Sequence, residues 1–135
     1  MIMRMIIPVK VMGLVILAMA LGACAPGDAT QYPVLKWEDI NVTIETRPSR
    51  AEKGMNEFLV IATRPPRRPA SDLVVSIRIN DQGKWHQGIQ DGHVGVYRRA
   101  IFVEDPEKDV LAVRLEHDDR MMVLHFPITP EPAAP

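Results

Sequence analysis

Leu73-Val74-Val75-Ser76-Ile77-Arg78-Ile79-Asn80 decides the fold. Leu73, Val75, Ile77 and Ile79 fall on one parity, and Val74, Ser76, Arg78 and Asn80 on the other. Successive side chains of a strand point to opposite faces, so this period of two predicts a half-buried strand. Its upstream neighbours read the same way. Asn41-Val42-Thr43-Ile44-Glu45-Thr46 alternates polar and β-branched apolar residues. Phe58-Leu59-Val60-Ile61-Ala62-Thr63 is continuously apolar between Gly54 and Pro65-Pro66, as expected of a central strand.

Downstream, Asn80-Asp81-Gln82-Gly83 supplies turn chemistry, Lys84 to Ile89 forms a short segment, and Asp91-Gly92 is a hairpin signal. Val94 to Val103 resumes strand character with Tyr97, Ile101 and Val103 on one parity. Asp105-Pro106-Glu107-Lys108 turns, Leu111, Val113 and Leu115 mark another strand face, and Asp118-Asp119-Arg120 turns again. Met122, Leu124, Phe126 and Ile128 define the last strand. Pro127 has no backbone donor, so it belongs to an edge strand or a strand end. Leu35 to Ile40 reads equally as an extra strand or a turn of helix. About seven strands at spacings of about 10–15 residues, with no amphipathic helix, predict an all-β antiparallel sandwich over residues 35–128. The Pro/Ala-rich residues 129–135 are expected to be disordered.

The amino-terminal segment has a different character. Met1 to Lys10 carries Arg4 and Lys10 and no acidic residue, and Val11 to Leu21 is apolar. That pattern is a signal peptide, too short for a membrane-spanning helix. Leu21-Gly22-Ala23-Cys24 follows and holds the only cysteine. These four residues resemble the lipobox of bacterial lipoproteins. The resemblance implies cleavage between Ala23 and Cys24 and lipidation of Cys24, which anchors the chain to a membrane. A thiolate is the ordinary side chain nucleophilic enough to take a lipid group. Residues 1–23 are thus read as leader and 24–34 as a lipidated tether. Ala25, not aspartate, stands after the cysteine, a pattern similar to that of outer-membrane lipoproteins facing the periplasm.

Removing the leader takes two of the 16 basic residues and none of the 17 acidic ones, leaving 14 against 17, a net charge of −3. Such a chain offers no electrostatic case for nucleic acid. Without a second cysteine there is no intramolecular disulfide, and stability must come from buried Val, Ile and Leu.

Gly54-Met55-Asn56-Glu57-Phe58, then Asp72-Leu73-Val74-Val75-Ser76-Ile77, then Asp91-Gly92-His93-Val94-Gly95-Val96-Tyr97 occur in an order that resembles the periplasmic immunoglobulin-like sandwiches of the YtkA-like and FixH-like group. The resemblance implies an immunoglobulin-like fold and, through FixH relatives, an association with assembly of copper-containing respiratory oxidases. Asp105-Pro106-Glu107-Lys108-Asp109 stands where that group carries a glycine-tryptophan pair. From the residues themselves, Gly54 permits a turn that Asn56 can tie to backbone, and Tyr97 puts its ring in the core with its hydroxyl near an edge.

Catalytic chemistry has little support in the sequence. Ser49, Ser71 and Ser76 lack a glycine-flanked elbow or a local histidine, and no His-Glu-x-x-His or phosphate loop occurs. Asp81, Asp91, Asp118 and Asp119 lack the spacing of a calcium loop. Imidazole and thioether are the ligands Cu(I) selects, which makes His117, Met121 and His125 the candidate copper ligands. Met121 and His125 are about 13–14 Å apart along a strand, so His117 is expected to approach Met121 across the hairpin. The bland reading makes Met122 core filler. Arg64, Arg67 and Arg68, in Arg64-Pro65-Pro66-Arg67-Arg68-Pro69, are candidate partner contacts on a stiff loop. Trp85 reads first as a core plug and second as a partner contact at a binding edge.

The reading that results is a non-catalytic, lipid-anchored envelope protein whose sandwich binds a protein partner or assists assembly of an envelope or respiratory complex. The alternative is a copper-handling accessory domain.

Overall fold

A computed structural model describes residues 30–132. Twelve strands follow in order: β1 (Thr30–Gln31), β2 (Leu35–Trp37), β3 (Ile40–Arg47), β4 (Gly54–Arg64), β5 (Arg68–Pro69), β6 (Val74–Ile79), β7 (His86–Gln87), β8 (Ile89–Gln90), β9 (Val96–Val103), β10 (Val110–His117), β11 (Arg120–Pro127) and β12 (Glu131–Pro132). They form a six-stranded antiparallel sheet in the order β2-β3-β4-β9-β8, with β5 on the end of β4, and a four-stranded antiparallel sheet in the order β11-β10-β6-β7. The fold is therefore the expected all-β sandwich. Consecutive long strands alternate between sheets as in an immunoglobulin domain: β3 and β4 in one, β6 in the other, β9 back in the first, β10 and β11 in the second.

The period-two expectation survives in detail. β3 alternates without exception, burying Ile40, Val42, Ile44 and Thr46. Facing them across the sandwich are Val75 and Ile77 of β6 and Leu111, Val113 and Leu115 of β10. Phe58 and Phe126 are fully buried. Each such ring contributes about 1.5–3 kcal/mol by leaving water. Leu35–Trp37 resolves to a strand, turned into β3 at Glu38, whose φ is 55°.

The short segment Lys84 to Ile89 is not one strand but two. His86–Gln87 pair with β6 in the four-stranded sheet, and Ile89–Gln90 pair with β9 in the six-stranded sheet. The chain crosses between sheets at Gly88, whose N–H donates to the Val75 carbonyl at 2.7 Å. A side chain there would meet the Tyr97 Cβ at 3.1 Å, so glycine is what lets the crossing lie close to the core.

Polar groups fasten the loops. The buried Asn56 amide donates to the Glu52 and Gly54 carbonyls at 2.7 and 3.0 Å and accepts from the Glu52 N–H, which closes the turn into β4. The Tyr97 hydroxyl donates to the Ala70 carbonyl at 2.8 Å and accepts from the Leu73 N–H. It therefore lies within the core and holds the segment leading into β6. Asp109 accepts from the backbone of Glu104 and Asp105 and from Asn80.

The domain is longer than 35–128. Thr30–Gln31 pair with Glu131–Pro132, Tyr32 is buried, and its hydroxyl donates to the Ile128 carbonyl at 2.8 Å. Residues 30–34 and 129–132 therefore belong to the folded body, whereas the sequence assigned them to tether and tail. The missed signal is Tyr32, an aromatic in an otherwise polar stretch. The leader, Ala23, Cys24 and residues 133–135 lie outside the described residues.

Candidate functional site

The last hairpin leaves the longest free edge. β11 pairs with β10 over its whole length, from His117 opposite Arg120 to Val110 opposite Pro127, and among the described residues it pairs with nothing on its other side. Asp118 and Asp119 form a two-residue loop, with Asp118 at a φ of 54°. A loop of that length closes on a hydrogen-bonded pair, so His117 and Arg120 bond to each other and the pairs then alternate. The N–H and C=O groups of Met121, Val123 and His125 consequently point away from β10. At the next such position stands Pro127, which has no N–H to offer.

Edge strands are ordinarily blunted by charge, bulges or cover. Between Arg120 and Pro127 no acidic residue, lysine or further arginine occurs. Met121 is 60% exposed and Met122 40%. The core-filler reading of Met122 is thus corrected: its side chain is 40% exposed although Leu115, opposite it on β10, is buried. β11 offers backbone hydrogen bonds flanked by soft apolar side chains, the chemistry that receives an added strand.

The structure does not assemble the proposed copper ligands. Pairing puts Met121 opposite Glu116 and His125 opposite Ala112 on the outer face, whereas His117 shares the inward parity with Arg120. His117 and Met121 therefore do not approach across the hairpin. His125 Nε2 is 3.1 Å from an Asp81 carboxylate oxygen. His117 Nε2 lies 3.0 Å from Asp72, and its Nδ1 2.9 Å from the Arg120 guanidinium. Arginine can only donate, so Nδ1 accepts and Nε2 carries the proton donated to Asp72. Among the described residues, no three His, Cys, Asp or Glu side chains group as metal ligands.

His117 instead belongs to a chain of ion pairs and hydrogen bonds at one end of the sandwich. Glu38 pairs with Arg120, Arg120 bonds His117, His117 bonds Asp72, and Asp72 pairs with Arg64, which also reaches Asp39 at 3.5 Å. The Arg64 guanidinium beside Asp72 holds that carboxyl below the ordinary aspartate range, mainly by its hydrogen bond. Arg64 is consequently a tie between loops, its side chain only 18% exposed. Arg67 and Arg68 remain exposed.

Trp85 is not a core plug. It lies on the outer face of the four-stranded sheet, its ring 4.2 Å from the Arg78 guanidinium carbon and 4.6 Å from that of Arg114. The two arginines stack on the indole, and their Nε atoms, buried there, have no hydrogen-bond partner among the described residues. Ser76 and Ala112, the cross-strand neighbours of Arg114 and Arg78, are buried on this outer side. Sequence alternation placed Arg78 outward but carried no sign that a tryptophan seven residues later would fold back over it. No family model, curated protein or solved structure matches the chain.

Proposed function

We propose that this chain is a non-catalytic lipoprotein of the cell envelope, anchored through Cys24, whose sandwich holds a protein partner by adding that partner's strand to β11. The observation that supports partner binding is the eight-residue edge of β11, open on one side among the described residues and free of acidic residues and lysine. Support for the anchor is the leader and Leu21-Gly22-Ala23-Cys24. The anchor would confine the domain to one membrane surface, and strand addition would supply affinity through main-chain hydrogen bonds. A role in assembling an envelope complex follows from the same two properties.

The test uses the full chain in its own membranes, with a photoreactive residue replacing Met121. A crosslinked adduct is expected, and Val123→Pro should abolish it, because that substitution deletes an outward N–H while leaving the ladder to β10 intact. An adduct that persists in Val123→Pro, or none from β11 at all, overturns strand addition. Cys24→Ser should move the chain from the membrane to the soluble fraction; continued membrane association overturns the anchor.

A further inference from the structure

The outer face of the six-stranded sheet is patterned in rows. Cross-strand register aligns Thr43, Ile61 and Val96 in one row, Glu45, Leu59 and Arg98 in the next, then Arg47, Glu57 and Ala100, and last Met55 and Phe102. The two outer rows are the apolar ones and the two middle rows carry the charges. At one end Met55 and Phe102 sit opposite each other, 64% and 53% exposed. At the other, Ile61, Val96 and the 56%-exposed Val94 border a groove of about 390 Å³ floored by the nearly buried Leu59, its remaining walls formed by Glu45, Arg47, Asp91 and Arg98.

We infer that this face packs against the same face of a second copy of the chain, about a two-fold axis that crosses the strands level with the Phe58–Arg99 pair. That axis maps the four rows onto one another in reverse. Phe102 and Met55 of one copy then meet Ile61, Val96 and the groove of the other. In the middle rows Glu45 meets Arg47 of the second copy, twice by symmetry, while Arg98 is held by Asp91 of its own chain. An isologous interface requires a surface complementary to itself, and an apolar-charged-charged-apolar order in which the β3 positions of the two middle rows, Glu45 and Arg47, are opposite in sign satisfies that requirement. A partner of one charge sign would leave either Glu45 and Glu57 or Arg47 and Arg98 opposed by like charge.

Three strands about 4.8 Å apart and eight residues at about 3.4 Å cover roughly 390 Å². Two copies then bury about 800 Å², the size of a weak, transient interface. Phe102 entering the groove is the aromatic anchor such an interface needs. Gly95 fixes the groove's rim: its carbonyl accepts from the Ala62 N–H at 2.9 Å, and a Cβ there would lie 2.5 Å from the Ala62 carbonyl oxygen.

The test is sedimentation of the full chain in detergent micelles, from about 1 to 200 µM, a range suited to a small interface. A reversible dimer is expected. Glu45→Arg, which sets like charges against each other, should weaken it about 10-fold or more, and the double exchange Glu45→Arg with Arg47→Glu should restore it. Phe102→Ser should weaken it to a similar extent with an unchanged circular-dichroism spectrum. A monomer throughout the series overturns the inference. So does a dimer indifferent to Glu45→Arg and Phe102→Ser, or one abolished only by Val123→Pro, which would place the contact at β11. Because β11 lies in the other sheet, loss of the dimer leaves strand addition standing, and the reverse holds equally.

Discussion

The two outer faces of this sandwich solve one problem in opposite ways. On the four-stranded sheet the exposed parity carries Arg78 and Arg114, and Trp85 folds between them, so that even Ser76 and Ala112 lose contact with water. On the six-stranded sheet the same parity carries Met55, Ile61, Val96 and Phe102, and among the described residues nothing covers Met55 or Phe102. Both sheets bury the inward parity alike, so the hydrophobic requirement of folding is already met. What the outer faces do is independent of it. A face closed by its own side chains is finished within one copy, whereas an apolar face left open gains by meeting another surface.

That contrast can be broken by substitution. The open face rests on backbone geometry, and Gly95→Ala attacks it directly. With a φ of 70° and a backbone oxygen 2.5 Å from the new Cβ, the variant should lose about 3 kcal/mol or more in urea denaturation. Near-wild-type stability would mean that the groove's rim is not fixed there. The closed face rests on side-chain stacking. Trp85→Ala should therefore cost less, about 1–2 kcal/mol, because water reaches the freed guanidinium groups and offsets part of the loss. A larger cost would show that the cover is part of the core.

The smallest effect belongs to the ion-pair chain that ties the two sheets at one end. Asp72 titrates below its ordinary value, chiefly through the Arg64 hydrogen bond. Asp109 also titrates low: burial raises it, and hydrogen bonds from Asp105, Asn80 and Glu104 outweigh that burial. A carboxylate lowered on folding stabilises fully above the ordinary carboxylate range and loses that contribution as the pH falls through its folded value. Stability should therefore decline on the acid side of the ordinary range. Asp72→Asn should make that decline shallower, and an unchanged acid limb would show that the pair with Arg64 does not couple to folding.

How legible was this in the sequence? Parity alone placed β3, β6, β9, β10 and β11, because burial of one face imposes a period of two whatever the surroundings. The turns were legible from Asp118-Asp119 and Asp105-Pro106, where local backbone preference acts without help. Phe102 could have been found the same way, since it stands between the inward Ile101 and Val103 and must point outward. The split of Lys84 to Ile89 between two sheets was not legible: each half is two residues long, and which sheet it joins depends on partners distant in sequence. The candidate site divides similarly. Pro127 marked an edge strand, but the freedom of that edge depends on every other strand's choice of neighbour. The pairing of His117 and Arg64 with Asp72 and the stacking of arginines on Trp85 were not legible, because residue type alone does not reveal which side chains a cation or imidazole will meet.

The sequence by itself determined the strands, their turns and their inward faces, all set by local backbone preference and by the transfer of alternate side chains out of water. Only the tertiary structure decided which edge stays unpaired, which outer face is covered and which charges are taken. Those outcomes are fixed by pairings such as Arg64 with Asp72 and by the stacking of Arg114 on Trp85, 29 residues apart, contacts that exist only once the sheets have formed.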